Sequence, residues 1–313
     1  MGNYFSTETS TTDPSNFYTW VPDTSNERDE YRQYKSKMLS PNLKKVVDNV
    51  HHCGPVLAQG QLGSCTANAL AGAYTYRYNL EYNSDASGAN EFLPSRLFIY
   101  YNERNAEGTP KTDSGAEIRD GIASIEKNGV CPESMWPYDI EKFTDKPPTT
   151  CYDEATACHK SVQQHRVVKS LESLKGCLET GRVFVFGFIV FESFKDQSKW
   201  NGSIMPTPQE GEKVLGGHAV LCVGYDDFKQ CFKVRNSWGS DWGENGNFYM
   251  PYDFMVGSFN ADKYNLGTTH WGKLLKTSDN EKADDTNDTD DKQDTVQPLC
   301  SDIWSIDLTF DKA

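Results

Sequence analysis

The chain has 313 residues, 37% hydrophobic and 12% aromatic, which is enough apolar material for a packed core and excludes wholesale disorder. Its 45 acidic against 31 basic side chains give a net charge of −14, which argues against a nucleic-acid binder, since phosphate contacts need clustered Lys and Arg. The longest apolar run, residues 183–191, has nine residues, too few to span a bilayer as a helix, and residues 1–30 contain no secretory apolar core.

In chain order, residues 1–50 read as an N-terminal arm, almost wholly polar up to residue 16. Residues 51–275 are expected to form the folded domain. Ala67, Leu70, Ala71, Tyr74 and Tyr78 recur at helical spacing and predict a helix beginning close to Cys65. Pro94 suits the first turn of a second helix over 94–105. Ser114-x-x-Glu117 predicts a capping box for a third, with Ile118, Ile122 and Ile125 on one face and Gly129 as its stop. A fourth, over 171–180, aligns Leu171, Leu174 and Leu178. The period then changes: 182–191, 218–225, 231–235 and 247–250 predict strands, and Asp226-Asp227-Phe228-Lys229 a hairpin turn. Residues 276–297 read as an acidic linker, with eight acids and two lysines between 279 and 294, a local charge of −6. Residues 298–313 are apolar enough around Leu299 and Trp304 to dock back onto the domain. Helices first and antiparallel strands later predict an α+β fold.

Nine cysteines cannot all pair within one chain, so at least one thiol is free. Cys65 is the candidate for chemistry. It opens a helix, where unpaired N–H groups and the helix dipole favour a thiolate. Gly63 and Ser64 before it let a peptide backbone approach closely, and Gln59 has an amide for a developing oxyanion. His218, at the start of an apolar strand, is the candidate base, and Asn236 on the next strand can fix its tautomer and orientation.

These residues resemble the papain family of cysteine peptidases over roughly residues 55–252. Gln59-Gly60-x-x-Gly63-Ser64-Cys65 resembles the nucleophile motif, Gly217-His218-Ala219-Val220 the histidine strand, and Asn236-Ser237-Trp238-Gly239-x-x-Trp242-Gly243-x-x-Gly246 the asparagine motif. The resemblance implies a helical left domain and an antiparallel β-rich right domain with the cleft between them. It implies Cys65 as nucleophile, His218 as base and acid, Asn236 as orienter and Gln59 as oxyanion donor. Trp238 would cover the His–Asn hydrogen bond, while Ser114, Gly115 and Gly217 would line the substrate path, with Ser114-Gly115 pairing with the P2 backbone. Leu62 stands where secreted members have a disulfide cysteine and Thr66 where they usually have an aromatic. Both departures resemble an intracellular branch known from bacteria, archaea and large DNA viruses. They imply a cytoplasmic or virion setting and structural thiols at the remaining cysteines.

The expected activity is peptide-bond hydrolysis on protein or peptide substrates by a monomer, without metal or cofactor. Residues before about 50, marked by Trp20-Val21-Pro22-Asp23, are expected to lie partly over the cleft as a short inhibitory prosegment. Two other classes compete. A catalytically silent virion or interaction protein would not require all four of Gln59, Cys65, His218 and Asn236. A Cys-His acyltransferase or deamidase typically uses Asp as orienter. Cys151, Cys158, His159 and His165 fit no common zinc spacing. Met1-Gly2-x-x-x-Ser6 fits the N-myristoylation pattern, and a lipid there would add weak membrane association.

Overall fold

The computed structural model describes residues 18–23, 31–32, 43–82, 92–157, 161–260 and 296–309. Helix α1 (Cys65–Tyr82) is enclosed along most of its length, with Cys65, Leu70, Ala71 and Tyr76 fully buried. It packs against α2 (Arg96–Ala106) and α3 (Ile118–Asn128). The Ser95 hydroxyl accepts the Phe98 N–H at 3.1 Å and caps α2, so Pro94 precedes the helix and is not in its first turn. The expected capping box at Ser114 is absent. Helix α3 starts at Ile118, because Gly115 adopts φ +72° and residues 114–116 form a rim of the cleft instead of a helical turn. A further helix, α4 (Thr149–Ala157), buries only Cys151 and Ala155, too narrow a stripe to stand out as a period.

The strands are β1 (Tyr31–Arg32), β2 (Val46–Asp48), β3 (Ser161–Val167), β4 (Phe184–Phe191), β5 (Val214–Asp226), β6 (Cys231–Arg235), β7 (Asn247–Pro251), β8 (Ser258–Asn260), β9 (Val296–Pro298) and β10 (Cys300–Thr309). The main sheet runs β1-β3-β10-β4-β5-β6-β7, with β2 on β5, while β8 pairs with β9. Among the described strands, only the β1–β3 pairing is parallel. Strand β10 runs between β3 and β4, so the end of the chain supplies an internal strand. Helices α5 (Leu171–Glu179), α6 (Glu192–Lys195) and α7 (Tyr252–Val256) complete this half.

All eight residues of β4 are buried, which requires cover on both faces of the sheet. Alternation divides its side chains. Phe184, Phe186 and Phe188 join Leu174, Phe232 and Phe248 in one core, whereas Val185 joins Ala219, Leu221, Trp304 and Ile306 in a second core shared with α1. The molecule is therefore an α+β structure whose helical part and antiparallel sheet meet along α1. The β4–β5 register sets Phe188 opposite His218 and Gly187 opposite Ala219. Asn236 follows β6 directly, so both imidazole and amide sit where the sheet faces the start of α1.

Candidate active site

Cys65 is the first residue of α1, and the loop before it is fixed by hydrogen bonds together with the packing of Leu57 and Leu62 in the core. The Gln59 N–H donates to Ser237 O at 2.8 Å, Tyr138 Oη donates to Gln59 O at 2.8 Å, and the Gly63 N–H meets the Asp113 carboxylate at 3.0 and 3.1 Å. Gln59 is fully buried. Its Oε1 accepts Ser237 Oγ at 2.6 Å and its Nε2 donates to Leu62 O at 3.0 Å. The Leu62 carbonyl, which can only accept, thus decides which end of the amide is nitrogen, and the second Nε2 hydrogen remains for a substrate oxyanion.

His218 is fully buried, and its Nε2 lies 2.8 Å from Asn236 Oδ1. A carbonyl oxygen only accepts, so Nε2 carries the proton and Nδ1 is the basic nitrogen of the neutral ring. Asn236 Oδ1 also accepts the Ser237 N–H at 2.8 Å, which fixes the amide. Trp238 stacks on the imidazole, centroids 5.0 Å apart and planes 26° apart, and Phe188 meets it edge-on at 5.8 Å. Across the cleft the Cys65 thiol contacts the backbone of Ala219, the residue after His218.

Burial pushes the Cys65 thiol up to about 11, against hydrogen bonds from Ala219 and Thr19 that favour the thiolate. Thr66 gives its hydroxyl to the buried Glu103 carboxyl at 2.7 Å, and burial raises Glu103 well above the usual carboxylate range. An acid on α2 therefore anchors the first turn of α1, an arrangement with no signature in the sequence.

Residues 18–23 lie along this site. Thr19 touches the Cys65 thiol through side chain and backbone, and its hydroxyl donates to Gly63 O at 2.7 Å. The Trp20 N–H donates to Gly217 O at 3.0 Å and the Val21 N–H to Ala116 O at 3.1 Å. The Tyr18 ring packs edge-on to Trp238 at 6.0 Å and to His218 at 6.3 Å. Gly115 has no room for a side chain, because a Cβ there would stand 1.7 Å from Thr19 O. Gly115 and Gly217, expected to line the substrate path, and Trp238, expected to cover the His–Asn hydrogen bond, contact residues 18–23. The Ser114 hydroxyl is within hydrogen-bond distance of Thr109 Oγ1, at 2.9 Å, and of the carbonyl of Gly115, at 3.1 Å.

Asp23 ends the segment in a buried charge cluster. Its carboxylate accepts Arg166 Nη2 at 3.0 Å, Trp304 Nε1 at 2.7 Å and the Arg119 N–H at 3.1 Å, and its own N–H donates to Asp302 at 2.9 Å. Asp302 accepts Arg166 Nη1 at 3.1 Å. Burial raises both acids, and the facing Asp23 carboxylate adds to it at Asp302, which is raised to about 7. Arg166 and Asp302 are 136 residues apart and gave no signal in the sequence.

On the Trp238 side of Cys65, a hollow of about 400 Å³ is lined by Tyr18, Ala58, Gly60, Phe194, Lys195, Trp238 and Trp242. The eight cysteines among the described residues are free thiols. No three metal-ligating side chains come together among the described residues; Cys158 and His159 lie outside them. Gly2 and the acidic stretch 279–294 also lie outside the described residues.

A family profile described as papain family cysteine protease matches residues 43–261. The chain is 42% identical over 255 residues to a peptidase C1-like protein of Acanthamoeba polyphaga mimivirus, covering 76% of this chain and 78% of the relative. It is 28% identical over 198 residues to cysteine proteinase 2 of Entamoeba histolytica, of which it spans 59%. The fold matches the crystal structure of xylellain, a cysteine protease from Xylella fastidiosa, with a TM-score of 0.72 and 35% identity over 93% of this chain and 96% of that one. This chain belongs to the papain family of cysteine proteases.

Proposed function

We propose that the chain is a cysteine endopeptidase working through Cys65 and His218, and that residues 18–23 hold it in a self-inhibited form. The observation that carries this reading is a helix-opening thiol against the backbone of Ala219, the residue after the Asn-held imidazole of His218, with a segment of the same chain beside that thiol.

With the segment displaced, Cys65 passes its proton to His218 Nδ1, and the thiolate sulfur attacks the scissile carbonyl carbon. The resulting oxyanion is held by the free Gln59 Nε2 hydrogen and the Cys65 N–H. Collapse breaks the C–N bond as His218 protonates the leaving amine, which leaves a thioester on Cys65. His218 then takes a proton from water, the hydroxide attacks the thioester, and a carboxylate product leaves as the thiol is restored.

The polarity of the segment explains why it blocks without being cut in place. A substrate is expected to pair its acyl side with residues 115–116 and to put its leaving side near Trp238. Residues 18–23 run the other way, with Tyr18 near Trp238 and Val21 at Ala116, and their bridges to residues 217 and 117 are parallel. A reversed backbone does not bring a carbonyl carbon to the sulfur with its oxygen toward Gln59. Incubation of the full chain, of Trp20→Ala and of the Trp20→Ala/Cys65→Ala double variant with a peptide library, read by mass spectrometry, tests the assignment. Cleavage that requires Cys65 and is strongest in Trp20→Ala supports it. A mass shift without cleavage points to acyl transfer or deamidation, and no change in any sample, Trp20→Ala included, points to a silent protein.

A further inference from the structure

The loop that carries Gln59 and leads into Cys65 is held from behind by a polar cluster on α2 and on the segment after α3. Arg96 is the first residue of α2, where the helix dipole opposes a cation, yet its side chain turns inward and the residue is 8% exposed. Glu133 compensates for this placement. Its carboxylate accepts the Arg96 N–H at 3.1 Å and pairs with Nε and Nη2 of the guanidinium. The remaining nitrogen, Nη1, reaches across to the nucleophile's side, donating to Ala58 O at 3.0 Å and to Asn68 Oδ1 at 3.2 Å. The guanidinium also lies over the Tyr138 ring, 3.8 Å from its centroid. Tyr138 Oη donates to Gln59 O at 2.8 Å and meets the Ser64 hydroxyl, while Asn68 Nδ2 donates to Ser64 O at 2.9 Å. Ala58, Gln59 and Ser64 are thus each bound by this one cluster.

We propose that Arg96 and Tyr138 are positioning residues for the oxyanion hole. This rests on the endopeptidase reading, in which the Gln59 amide and the Cys65 N–H hold the oxyanion. A peptide unit is planar, so holding its oxygen also aims its N–H. Arg96 holds the oxygen of Ala58 and Tyr138 that of Gln59, which are the peptide units on the two sides of the Gln59 Cα. The Ser64 oxygen belongs to the unit that carries the Cys65 N–H. It is held by Asn68, whose Oδ1 is itself bound by Arg96. Both donors therefore take their direction from one guanidinium and one phenol, which act through the loop and not on the substrate. An oxyanion donor stabilises developing charge only from the right distance and direction, so loosening its support lowers the rate and spares substrate affinity.

The test uses the full-length chain carrying Trp20→Ala as parent, with Tyr138→Phe, Arg96→Lys and Gln59→Ala added singly and each of the first two combined with Gln59→Ala. Tyr138→Phe keeps the ring under the guanidinium and removes its bonds to Gln59 and Ser64. Arg96→Lys keeps the charge and loses the planar fork. Two quantities are measured: kcat and KM on one fluorogenic peptide, and the rate of Cys65 alkylation by iodoacetamide, a displacement that forms no oxyanion. Tyr138→Phe and Arg96→Lys are each expected to lower kcat about tenfold or more, with KM and the alkylation rate within about twofold of the parent. Combined with Gln59→Ala, their losses should fall well short of additive. An alkylation rate that changes along with kcat would show that the cluster serves only the fold around the thiol, and overturns the inference alone. An unchanged kcat, or full additivity with Gln59→Ala, does the same. Absence of turnover in the parent overturns the endopeptidase reading and the inference with it.

Discussion

Asn236 Oδ1 accepts both His218 Nε2 and the Ser237 N–H, each at 2.8 Å, so the imidazole takes its tautomer from an amide that is itself held by the backbone. Asn236→Ala removes the acceptor that keeps the proton on Nε2. It should lower kcat by roughly 10–100-fold with little change in KM, because orientation rather than binding is lost. Steady-state kinetics on one peptide decides it, and an unchanged kcat would mean that the tautomer is set elsewhere.

Ser237 has a second task through its hydroxyl. By donating to Gln59 Oε1 it holds one end of the amide whose Nε2 donates to Leu62 O. Gln59→Ala should cost about 10²–10³ in kcat, the usual loss for one oxyanion donor. Ser237→Ala leaves the donor present but held only through Leu62 O and should cost less, about tenfold, with the two effects falling short of additive in the double variant.

Burial pushes the thiol of Cys65 up to about 11 with residues 18–23 in place, although the Thr19 hydrogen bonds pull the other way. Opening the site should lower this value, which raises the thiolate fraction at neutral pH. Trp20→Ala should therefore be alkylated by iodoacetamide at pH 6.5 about tenfold or more faster than the unaltered chain, with its pH profile moved to lower pH. Coincident profiles would show that the segment does not control the thiol.

The Asp23–Arg166–Asp302 cluster makes segment retention pH-dependent. Facing it are Arg166 from β3, Arg119 from α3 and Trp304 from β10. Burial, and after it the docked Asp23 carboxylate, raise Asp302 to about 7, and burial raises docked Asp23 as well, whereas a released Asp23 titrates near the ordinary ~4 and no longer raises Asp302. The docked state therefore holds a proton more tightly. Docking is strongest at acid pH and weakens as pH rises through about 7, where both carboxylates carry charge. Hydrogen-exchange protection of the Trp20 amide, corrected for intrinsic rates, should fall between pH 5.5 and 8 and lose this dependence in Asp302→Asn. Protection that rises with pH would reverse the assigned sign.

The α+β order, the helix opening at Cys65 and the strands carrying His218 and Asn236 were legible in the sequence, because each rests on a local period or a short motif. Residues that act through distant partners were not. Ser237 is an ordinary residue of a motif until Gln59 folds against it. Glu103 and Thr66 meet only when α2 packs on α1. Ser114 misled because Ser-x-x-Glu is a helix-start pattern, while the backbone at Gly115 is committed to the cleft rim. Trp20-Val21-Pro22-Asp23 stood out as an apolar island, yet the Trp20 indole lies over Gly187, a partner of β10, which arrives from the far end of the chain.

The most direct measurement is the initial rate of peptide hydrolysis by the full-length chain beside Trp20→Ala and Cys65→Ala at equal concentration. A peptidase restrained by its own residues 18–23 predicts a rate about tenfold or more higher for Trp20→Ala than for the unaltered chain, and none for Cys65→Ala. Equal rates for the first two, or hydrolysis by Cys65→Ala, would contradict it.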